Sequence, residues 1–393
     1  MQSFEFYSPT EVVFGKDTEL KAAGLIKKYG GSRVLIVYGG GSVVRSGLLG
    51  KIENSLKEAG IAFKSIGGVQ PNPRLSFAKS GIKEALNFGT DFVLALGGGS
   101  VIDTVKGIAH GAANPDKDLW SFWTKEIPLT KSLPVGTVLT ISAAGSETSE
   151  SAVLTNEETG AKIGFDTPFN RPKFAVMNPV LTFTLPVYQV ACGIVDIMMH
   201  TLDRYFTPTD GNEITDEIAE SLLRVVIKHG ETAVKNPKDY EAMSELMWCG
   251  SLSHNGLTGL GAQWDFAPHQ LGHELSGKFD VAHGASLSAI WDSWAKYCYK
   301  EKPERFVRYA KKVWGIEMAT AEETALAAID KTASYFRSIG MPTCFTELGI
   351  GVQSQEVLRE LSDRCVFFGK RKIGSFKVLD RDDVYNIYSS ANK

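Results

Sequence analysis

Two short apolar runs that each end in three glycines constrain the fold of this chain more than any other feature. Residues 33–38 (RVLIVY) lead into the glycine run 39–41, and residues 91–96 (DFVLAL) lead into the glycine run 97–99. Apolar runs of this length are typical of strands buried on both faces of a parallel sheet. A segment with helical periodicity follows each run. The pattern therefore predicts the strand–turn–helix units of a doubly wound sheet.

Strand and helix signals alternate through the first 185 residues, and after Pro186 the pattern changes to long segments with helical periodicity. In the first part we predict helices at 46–59, 77–88 and 101–113, strands at 61–66 and 135–141, and a hairpin at 151–165. In the second part we predict long helices at 187–206, 213–234 and 240–253, with more helix to the C-terminus. The predicted fold is a Rossmann-like, dinucleotide-binding α/β domain over residues 1–185. An all-helical metal-binding and catalytic domain over residues 186–393 follows it.

The bulk composition narrows the classes of partner and compartment. Of the 393 residues, 43% are hydrophobic and 22% are charged, which is ordinary for a soluble globular protein. The net charge of −3 gives no basic surplus for nucleic acid. No uncharged apolar run has the length of a membrane span, and the N-terminus lacks the pattern of a signal peptide. With five scattered cysteines, we expect a reduced, cytoplasmic protein whose partner is a small molecule rather than nucleic acid or membrane.

Each glycine run continues into a serine at the start of a predicted helix. Glycines let the backbone approach an anion, and a helix N-terminus offers unpaired N–H groups and a positive dipole end. Ser100 can serve either as the helix N-cap or as a phosphate ligand. The repeated arrangement predicts a dinucleotide site with these residues: Gly39, Gly40, Gly41, Ser42, Gly97, Gly98, Gly99 and Ser100.

The residue after the 33–38 strand bears on the type of nicotinamide cofactor. A carboxylate at this position usually binds the ribose 2′-OH of NAD and repels the 2′-phosphate of NADP. This chain has Gly39 there, and Ser42 or Arg45 can bond to a phosphate. We predict that NADP(H) is favoured over NAD(H). The alternative is a glycine turn that accepts both.

Asp196 and His200 are four residues apart in an apolar predicted helix, so they share one face of it. A carboxylate there is costly to bury without a partner, which a structural Asp–His pair or a metal would provide. Three more histidines, at 269, 273 and 283, fall within fifteen residues. One carboxylate with imidazoles suits Fe(II), Zn(II), Ni(II) or Co(II). Spacing alone leaves open which of the three histidines bind; 269 and 273 can act as an i, i+4 pair with 283 in support. The other histidines are interpreted as hydrogen-bonded core residues: His110, His229 and His254.

In order and spacing, these motifs resemble the iron-containing (group III) alcohol dehydrogenases, within them the aldehyde reductase and butanol dehydrogenase subgroup, over the whole chain. The matching pieces are Tyr38-Gly-Gly-Gly-Ser-Val43, Gly68-Val-Gln-Pro-Asn-Pro73, Gly97-Gly-Gly-Ser-Val-Ile-Asp103, Gly145-Ser-Glu147, Asp196-x-x-x-His200, and His269-x-x-x-His273 followed by His283-Gly284.

The resemblance implies a dehydroquinate synthase-like fold, a homodimer, and one divalent metal, Fe(II) or Zn(II), with Ni(II) or Co(II) as alternatives. The implied metal ligands are Asp196, His200, His269 and His283. His273 is placed near the substrate and the nicotinamide, which makes it the candidate for relaying a proton. The run 97–100 is placed at the pyrophosphate. Three further residues are placed around the cofactor: Asp103, Thr140 and Lys162.

These inferences predict a metal-dependent alcohol dehydrogenase or aldehyde reductase that transfers a hydride between NADP(H) and a primary alcohol or aldehyde, as in butanol dehydrogenases. One alternative is an NAD-dependent polyol or glycerol-type dehydrogenase. The other is a dehydroquinate-synthase-like lyase on the same fold. The lyase needs a basic pocket for a phosphorylated sugar acid, and the segment around the histidine cluster has no run of lysine and arginine.

Overall fold

The computed structural model describes residues 1–393. It divides into two compact units, Tyr7–Thr184 and Leu185–Lys393, and the second unit also includes Met1–Phe6. The division lies one residue from the boundary expected from the sequence. The first six residues differ from that expectation, because backbone bonds hold them to the helical unit. Gln2 N donates to Gly261 O at 2.9 Å, for example.

The unit Tyr7–Thr184 contains a six-stranded sheet in the order β1-β8-β5-β4-β2-β3, with every neighbouring pair parallel, and a separate antiparallel hairpin of β6 and β7. The strands are β1 Glu11–Phe14, β2 Arg33–Tyr38, β3 Ala62–Ile66, β4 Phe92–Gly97, β5 Val135–Leu139, β6 Ser151–Asn156, β7 Ala161–Asp166 and β8 Phe174–Met177. The helices of this unit are α1 Ala22–Lys28, α2 Ser42–Arg45, α3 Leu48–Glu58, α4 Leu75–Phe88, α5 Gly99–Ala113 and α6 Trp120–Trp123. The predicted doubly wound parallel sheet is confirmed.

The two glycine runs lie side by side at one end of this sheet. β2 and β4 are neighbours, and Tyr38 pairs with Leu96 in their register. From β2 the chain moves outward to β3, whereas from β4 it moves in the opposite direction to β5. Ligands of open α/β sheets bind at such a reversal of strand order, beyond the carboxyl ends of the strands. The topology therefore brings both runs to the position where a dinucleotide is expected.

The second unit is built from helices. They are α7 Val187–Tyr205, α8 Glu213–Lys235, α9 Tyr240–His254, α10 Ala267–Phe279, α11 His283–Cys298, α12 Pro303–Tyr309, α13 Ala321–Ser338, α14 Gln355–Cys365 and α15 Arg381–Ala391. From Val190 to Tyr205 every residue of α7 is buried, because α8, α9 and α11 pack around it. The central position of α7 places the carboxylate of Asp196 and the imidazole of His200 inside the unit. None of the helices combines the length and apolar character that a membrane crossing requires.

Candidate active site

Three imidazoles converge on one carboxylate oxygen in the helical unit. The Nε2 atoms of His200, His269 and His283 lie 3.4, 3.8 and 3.7 Å from Asp196 Oδ1. Donors of a tetrahedral metal with bonds of about 2.1 Å are separated by about 3.4 Å. The donor atoms of Asp196, His200 and His269 also lie within 4.8 Å of one another. The spacing is that of a mononuclear metal site.

Three helices supply these side chains. Asp196 and His200 are one turn apart on α7, His269 is in the first turn of α10, and His283 is the first residue of α11. The start of α11 lies directly against the backbone of α7, since a Cβ on Gly284 would be 2.2 Å from Cys192 O. The lack of a side chain at residue 284 is therefore what allows α11 to present its first imidazole to α7.

The hydrogen bonds around His269 indicate that a cation belongs between the donors. His269 Nδ1 lies 2.6 Å from Asp203 Oδ2, and both side chains are buried. When Nδ1–H donates to this carboxylate, a neutral imidazole turns the lone pair of Nε2 towards Asp196 Oδ1. Both of those atoms are buried without a hydrogen-bond partner. Two facing acceptors are costly to bury, and a metal ion between them removes that cost.

The electrostatic surroundings favour metal binding in two ways. Burial lowers the pKa of His200 well below its usual value, and the neighbouring His254 and His269 lower it further, so the imidazole is a neutral donor. At His269 burial opposes protonation, but the carboxylates of Asp203 and Asp196 raise its pKa overall. Their negative charge attracts a cation to this position.

His273 lies beside this cluster, one turn after His269 on α10. Its ring centroid is 6.3 Å from that of His269 and 5.2 Å from that of His283. The sequence patterns missed two other neighbours. Asp203 continues the α7 face as His200-x-x-Asp203, a spacing that could have revealed it. His254, interpreted as a core residue, has its ring centroid 3.9 Å from that of His200.

The structure confirms that His110 is a hydrogen-bonded core histidine. Its ring is fully buried, with Nδ1 2.8 Å from Ser132 Oγ and Nε2 2.8 Å from Asn170 Oδ1. Burial lowers the pKa of His110 to about 4. The ring is thus neutral at physiological pH, and its contacts are those of a structural residue.

The first glycine run lines a pocket of about 510 Å³ in the α/β unit. The lining residues are Tyr38, Gly39, Gly40, Gly41, Val44, Arg45, Gly67 and Gly68. Gly41 has a φ of 98°, a conformation that glycine adopts freely, and it caps α2, which begins at Ser42. The Arg45 side chain lies over this turn. Its Nη1 would be 3.3 Å from a Cβ on Gly41. The pocket thus carries a guanidinium and no carboxylate among its lining residues.

The second glycine run is required by packing within the chain. A Cβ on Gly98 would lie 1.9 Å from Ile141 Cγ2, and one on Gly97 would lie 2.5 Å from Val101 Cγ2. α5 starts at Gly99 with Gly98 as its N-cap. Of the two roles suggested for Ser100, that of helix N-cap is wrong, since a glycine one residue before the helix takes that position and Ser100 lies in the first turn.

The remaining predicted cofactor residues make contacts within the α/β unit. Thr140 N donates to Gly97 O at 3.1 Å, which joins the end of β5 to the second glycine run. Lys162 Nζ, on the hairpin, donates to Asn72 Oδ1 at 2.9 Å. Asp103 accepts from Ser146 Oγ at 2.6 Å through one carboxylate oxygen and from Val153 N at 2.9 Å through the other. Asp103 thereby ties α5 to the hairpin.

Lys106, which the sequence patterns did not single out, completes this tie. Its fully buried Nζ donates to Ser146 O and Oγ at 2.8 Å, and to Ser151 O at 2.7 Å. Burial lowers the pKa of Lys106 to about 8. Asp103 and Lys106, both bonded to Ser146, therefore hold the segment 146–153 on the helix that begins at the second glycine run.

Comparison with known proteins agrees with this architecture over the full chain. The sequence pattern of the iron-containing alcohol dehydrogenases matches residues 9–179, and that of the C-terminal region of the same family matches residues 190–392. The NADH-dependent butanol dehydrogenase A of Clostridium acetobutylicum is 41% identical over 100% of both chains. The NADPH-dependent aldehyde reductase YqhD of Escherichia coli is 34% identical over 100% of both chains.

A solved structure agrees equally well. The crystal structure of the NADH-dependent butanol dehydrogenase A of Thermotoga maritima superimposes with a TM-score of 0.95 at 35% identity, and the match covers 100% of this chain and 99% of the other. The family resemblance seen in the motifs is confirmed. The chain belongs to the iron-containing alcohol dehydrogenase family, whose members combine NAD(P) with a divalent metal.

Proposed function

We propose that this protein is a metal-dependent alcohol dehydrogenase and aldehyde reductase that acts on primary alcohols and aldehydes of the butanol and butyraldehyde class. The observation that carries the proposal is the convergence of three imidazole Nε2 atoms on Asp196 Oδ1. The names of two full-length relatives, a butanol dehydrogenase and an aldehyde reductase, support the substrate class. The proposed metal ligands are Asp196, His200, His269 and His283, and the proposed metal is Fe(II) or Zn(II).

Different residues have different roles in the proposed reaction. The four proposed ligands would hold a divalent metal, which would supply Lewis acidity towards the substrate oxygen, and the bound nicotinamide cofactor would supply the hydride chemistry. The glycine runs hold the pyrophosphate and the adenosine end of the cofactor, and Thr140 and Lys162 contribute to its pocket. His273, next to the ligand cluster, passes a proton between the substrate oxygen and water. Asp203 keeps His269 in the tautomer that directs Nε2 inward.

The direct test is an NADPH oxidation assay at 340 nm with butyraldehyde. We expect NADPH consumption after reconstitution with Fe(II) or Zn(II), its loss on chelation, and a loss of at least about 1,000-fold in kcat/KM for His200→Ala and His269→Ala because Lewis-acid stabilisation disappears. Full activity of the chelated protein would contradict the proposal. Turnover of a phosphorylated sugar acid without net NADPH oxidation would favour the lyase. A preference for glycerol with NAD would favour the polyol dehydrogenase.

We also propose a preference for NADP(H) over NAD(H). The support is the absence of a carboxylate at Gly39 and the guanidinium of Arg45 over the same turn. The names of the relatives are divided on this point, since the butanol dehydrogenases are NADH-dependent and the aldehyde reductase is NADPH-dependent. The preference therefore needs its own measurement.

Gly39→Asp is a suitable variant because the site has space for it. A Cβ on Gly39 would lie 3.5 Å from Val69 O, an ordinary contact. We expect the ratio of kcat/KM for NADPH to that for NADH to fall by about tenfold or more, since the new carboxylate repels a 2′-phosphate. Arg45→Ala should lower the same ratio, whereas Lys83→Ala, which removes an exposed lysine from α4, should leave it unchanged. A wild-type kcat/KM that is higher for NADH than for NADPH would contradict the preference, and equal ratios in wild type and Gly39→Asp would contradict the role of Gly39.

A homodimer and a cytoplasmic location complete the proposal. β1 is an edge strand of the sheet, with one side available for pairing with another strand. All five cysteines are free and buried, as is common in a reducing compartment. Sedimentation at the mass of two chains would support the dimer, and sedimentation at the mass of one would contradict it.

A further inference from the structure

The two buried imidazoles of the ligand cluster are held in different ways. His269 has a carboxylate bonded to its outer nitrogen, with Nδ1 2.6 Å from Asp203 Oδ2. The outer nitrogen of His200, Nδ1, is buried and has no hydrogen-bond partner. A metal-binding imidazole normally owes its orientation to a hydrogen bond at that nitrogen. Some other contact must therefore fix the ring of His200.

The ring of His254 makes that contact. It belongs to the last residue of α9, and its centroid lies 3.9 Å from that of His200 with 34° between the planes. The ring of His269 also lies close to that of His200, with the centroids 4.3 Å apart and 34° between the planes. His200 thus contacts two imidazoles, only one of which belongs to the proposed ligand set.

Arg204 in turn holds His254. Its Nη2 lies 2.9 Å from His254 Nδ1, which accepts because a guanidinium has no acceptor, and its Nη1 donates to His200 O at 2.6 Å and to Ser253 O at 3.1 Å. One buried side chain therefore connects the backbone of α7 at the ligand with the backbone and the terminal ring of α9.

The guanidinium itself packs against two aromatic rings. Arg204 Cζ lies 4.8 Å from the ring centroid of Trp264 and 4.7 Å from that of Phe266. Close packing fixes this arrangement, because a Cβ on Gly259 would be 2.3 Å from Trp264 Nε1 and 2.9 Å from Arg204 Cδ. The planar group has little freedom to turn, so its contact with His254 is rigid.

We propose that Arg204 and His254 are positioning residues that fix the ring plane of His200 by ring contact, in place of the hydrogen bond that orients His269. The inference rests on the proposed metal site and assigns neither residue as a ligand. Its consequence is that a flat ring at position 254 is required for full metal affinity, and the imidazole nitrogens at that position are not. Arg204 contributes by joining the backbones of α7 and α9, which keeps the two rings next to each other.

The test measures Zn(II) affinity by competition with a chromophoric chelator, together with the visible spectrum of the Co(II)-substituted protein. We expect His254→Ala to weaken Zn(II) binding by about tenfold and to change the Co(II) bands, because His200 then samples several orientations. His254→Phe, which keeps a ring without nitrogen, should stay within about threefold of wild type. His229→Ala, a half-buried histidine of α8, is the matched control and should match wild type.

Arg204→Met should resemble His254→Ala in both measurements, since it removes the donor to His200 O and Ser253 O that keeps α9 and its terminal ring against α7. Wild-type affinity and spectrum in His254→Ala would overturn the proposal, as would a loss in His254→Phe as large as that in His254→Ala. Thermal unfolding of each apo variant separates a lost fold from a lost ligand geometry. His200→Ala is measured in parallel. If His200→Ala still binds Zn(II), the proposed metal site itself is wrong. If His200→Ala loses Zn(II) but His254→Ala binds it like wild type, only the positioning role of Arg204 and His254 is rejected.

Discussion

At the scale of single residues, the bond between Asp203 Oδ2 and His269 Nδ1 is the polar contact we expect to matter most for metal affinity. The 2.6 Å distance and the burial of both groups are typical of a charge-assisted hydrogen bond. Asp203→Asn keeps the size of the side chain and removes the charge. We expect Zn(II) affinity to fall about 10- to 100-fold, the range found for partners of metal-bound histidines. Chelator competition measures the change.

The same variant has an internal control in cofactor binding. Asp203 belongs to the helical unit, and the proposed pyrophosphate residues belong to Tyr7–Thr184. The dissociation constant of NADPH, followed by fluorescence, should therefore be unchanged in Asp203→Asn. Unaltered Zn(II) affinity would show that the tautomer of His269 is set by something other than this carboxylate.

Residue patterns predicted part of this arrangement and could not predict the rest. The four-residue spacing of Asp196 and His200 was sufficient to predict that the two side chains lie together, because a helix places residues i and i+4 on one face. The order of His269, His273 and His283 along the chain did not show which of them lie next to Asp196, because two of them lie on α10 and the third begins α11 after a turn. His254 is distant from His200 in sequence, and its contact depends on how α9 packs on α7.

At the scale of elements, the tie between α5 and the segment 146–153 leads to a second prediction. Lys106→Met removes the buried ammonium and leaves the carbonyl oxygens of Ser146 and Ser151 without this donor. We expect the free energy of unfolding to fall by about 3 kcal/mol, since a buried acceptor that loses its donor costs about 1–3 kcal/mol. NADPH binding should weaken as well, since α5 begins at the second glycine run. Urea denaturation and cofactor fluorescence provide the two measurements.

The double variant Asp103→Asn with Lys106→Met tests whether the two charges, which both bond to Ser146, are coupled. In Lys106→Met the Asp103 carboxylate loses the nearby ammonium that offsets its charge, and the double variant removes that charge, so we expect the double variant to be more stable than Lys106→Met alone. Additive losses of stability in the two single variants would contradict the coupling. Zn(II) affinity should not change in any of the three.

Long elements with a clear period were predictable, and short ones were not. The helix predicted at 77–88 is α4 Leu75–Phe88, and the helix predicted at 187–206 is α7 Val187–Tyr205, since fourteen or more residues give several repeats of the apolar period. The strands β1 and β8 were missed. Each has four residues, which is too short for a period, and β1 lies at the sheet edge where its burial is only partial.

At the scale of the whole molecule, the proposed cofactor residues and the proposed metal ligands belong to different units, Tyr7–Thr184 and Leu185–Lys393. Each set is positioned by contacts inside its own unit. The second glycine run packs against Val101 and Ile141. The proposed ligand His269 is held by Asp203. Binding of NADPH and binding of the metal should therefore be separable by mutation, whereas hydride transfer requires both.

Two variants test this separation. The double variant His200→Ala with His269→Ala should lose Zn(II) and keep the dissociation constant of NADPH within about threefold of wild type, since a change in one unit leaves the contacts of the other intact. Gly98→Val should lose NADPH and retain Zn(II), because a Cβ there would already lie 1.9 Å from Ile141 Cγ2 and the start of α5 must shift. Neither variant should reduce butyraldehyde. Loss of NADPH binding in a folded His200→Ala, His269→Ala protein would mean that the metal ligands also shape the cofactor pocket.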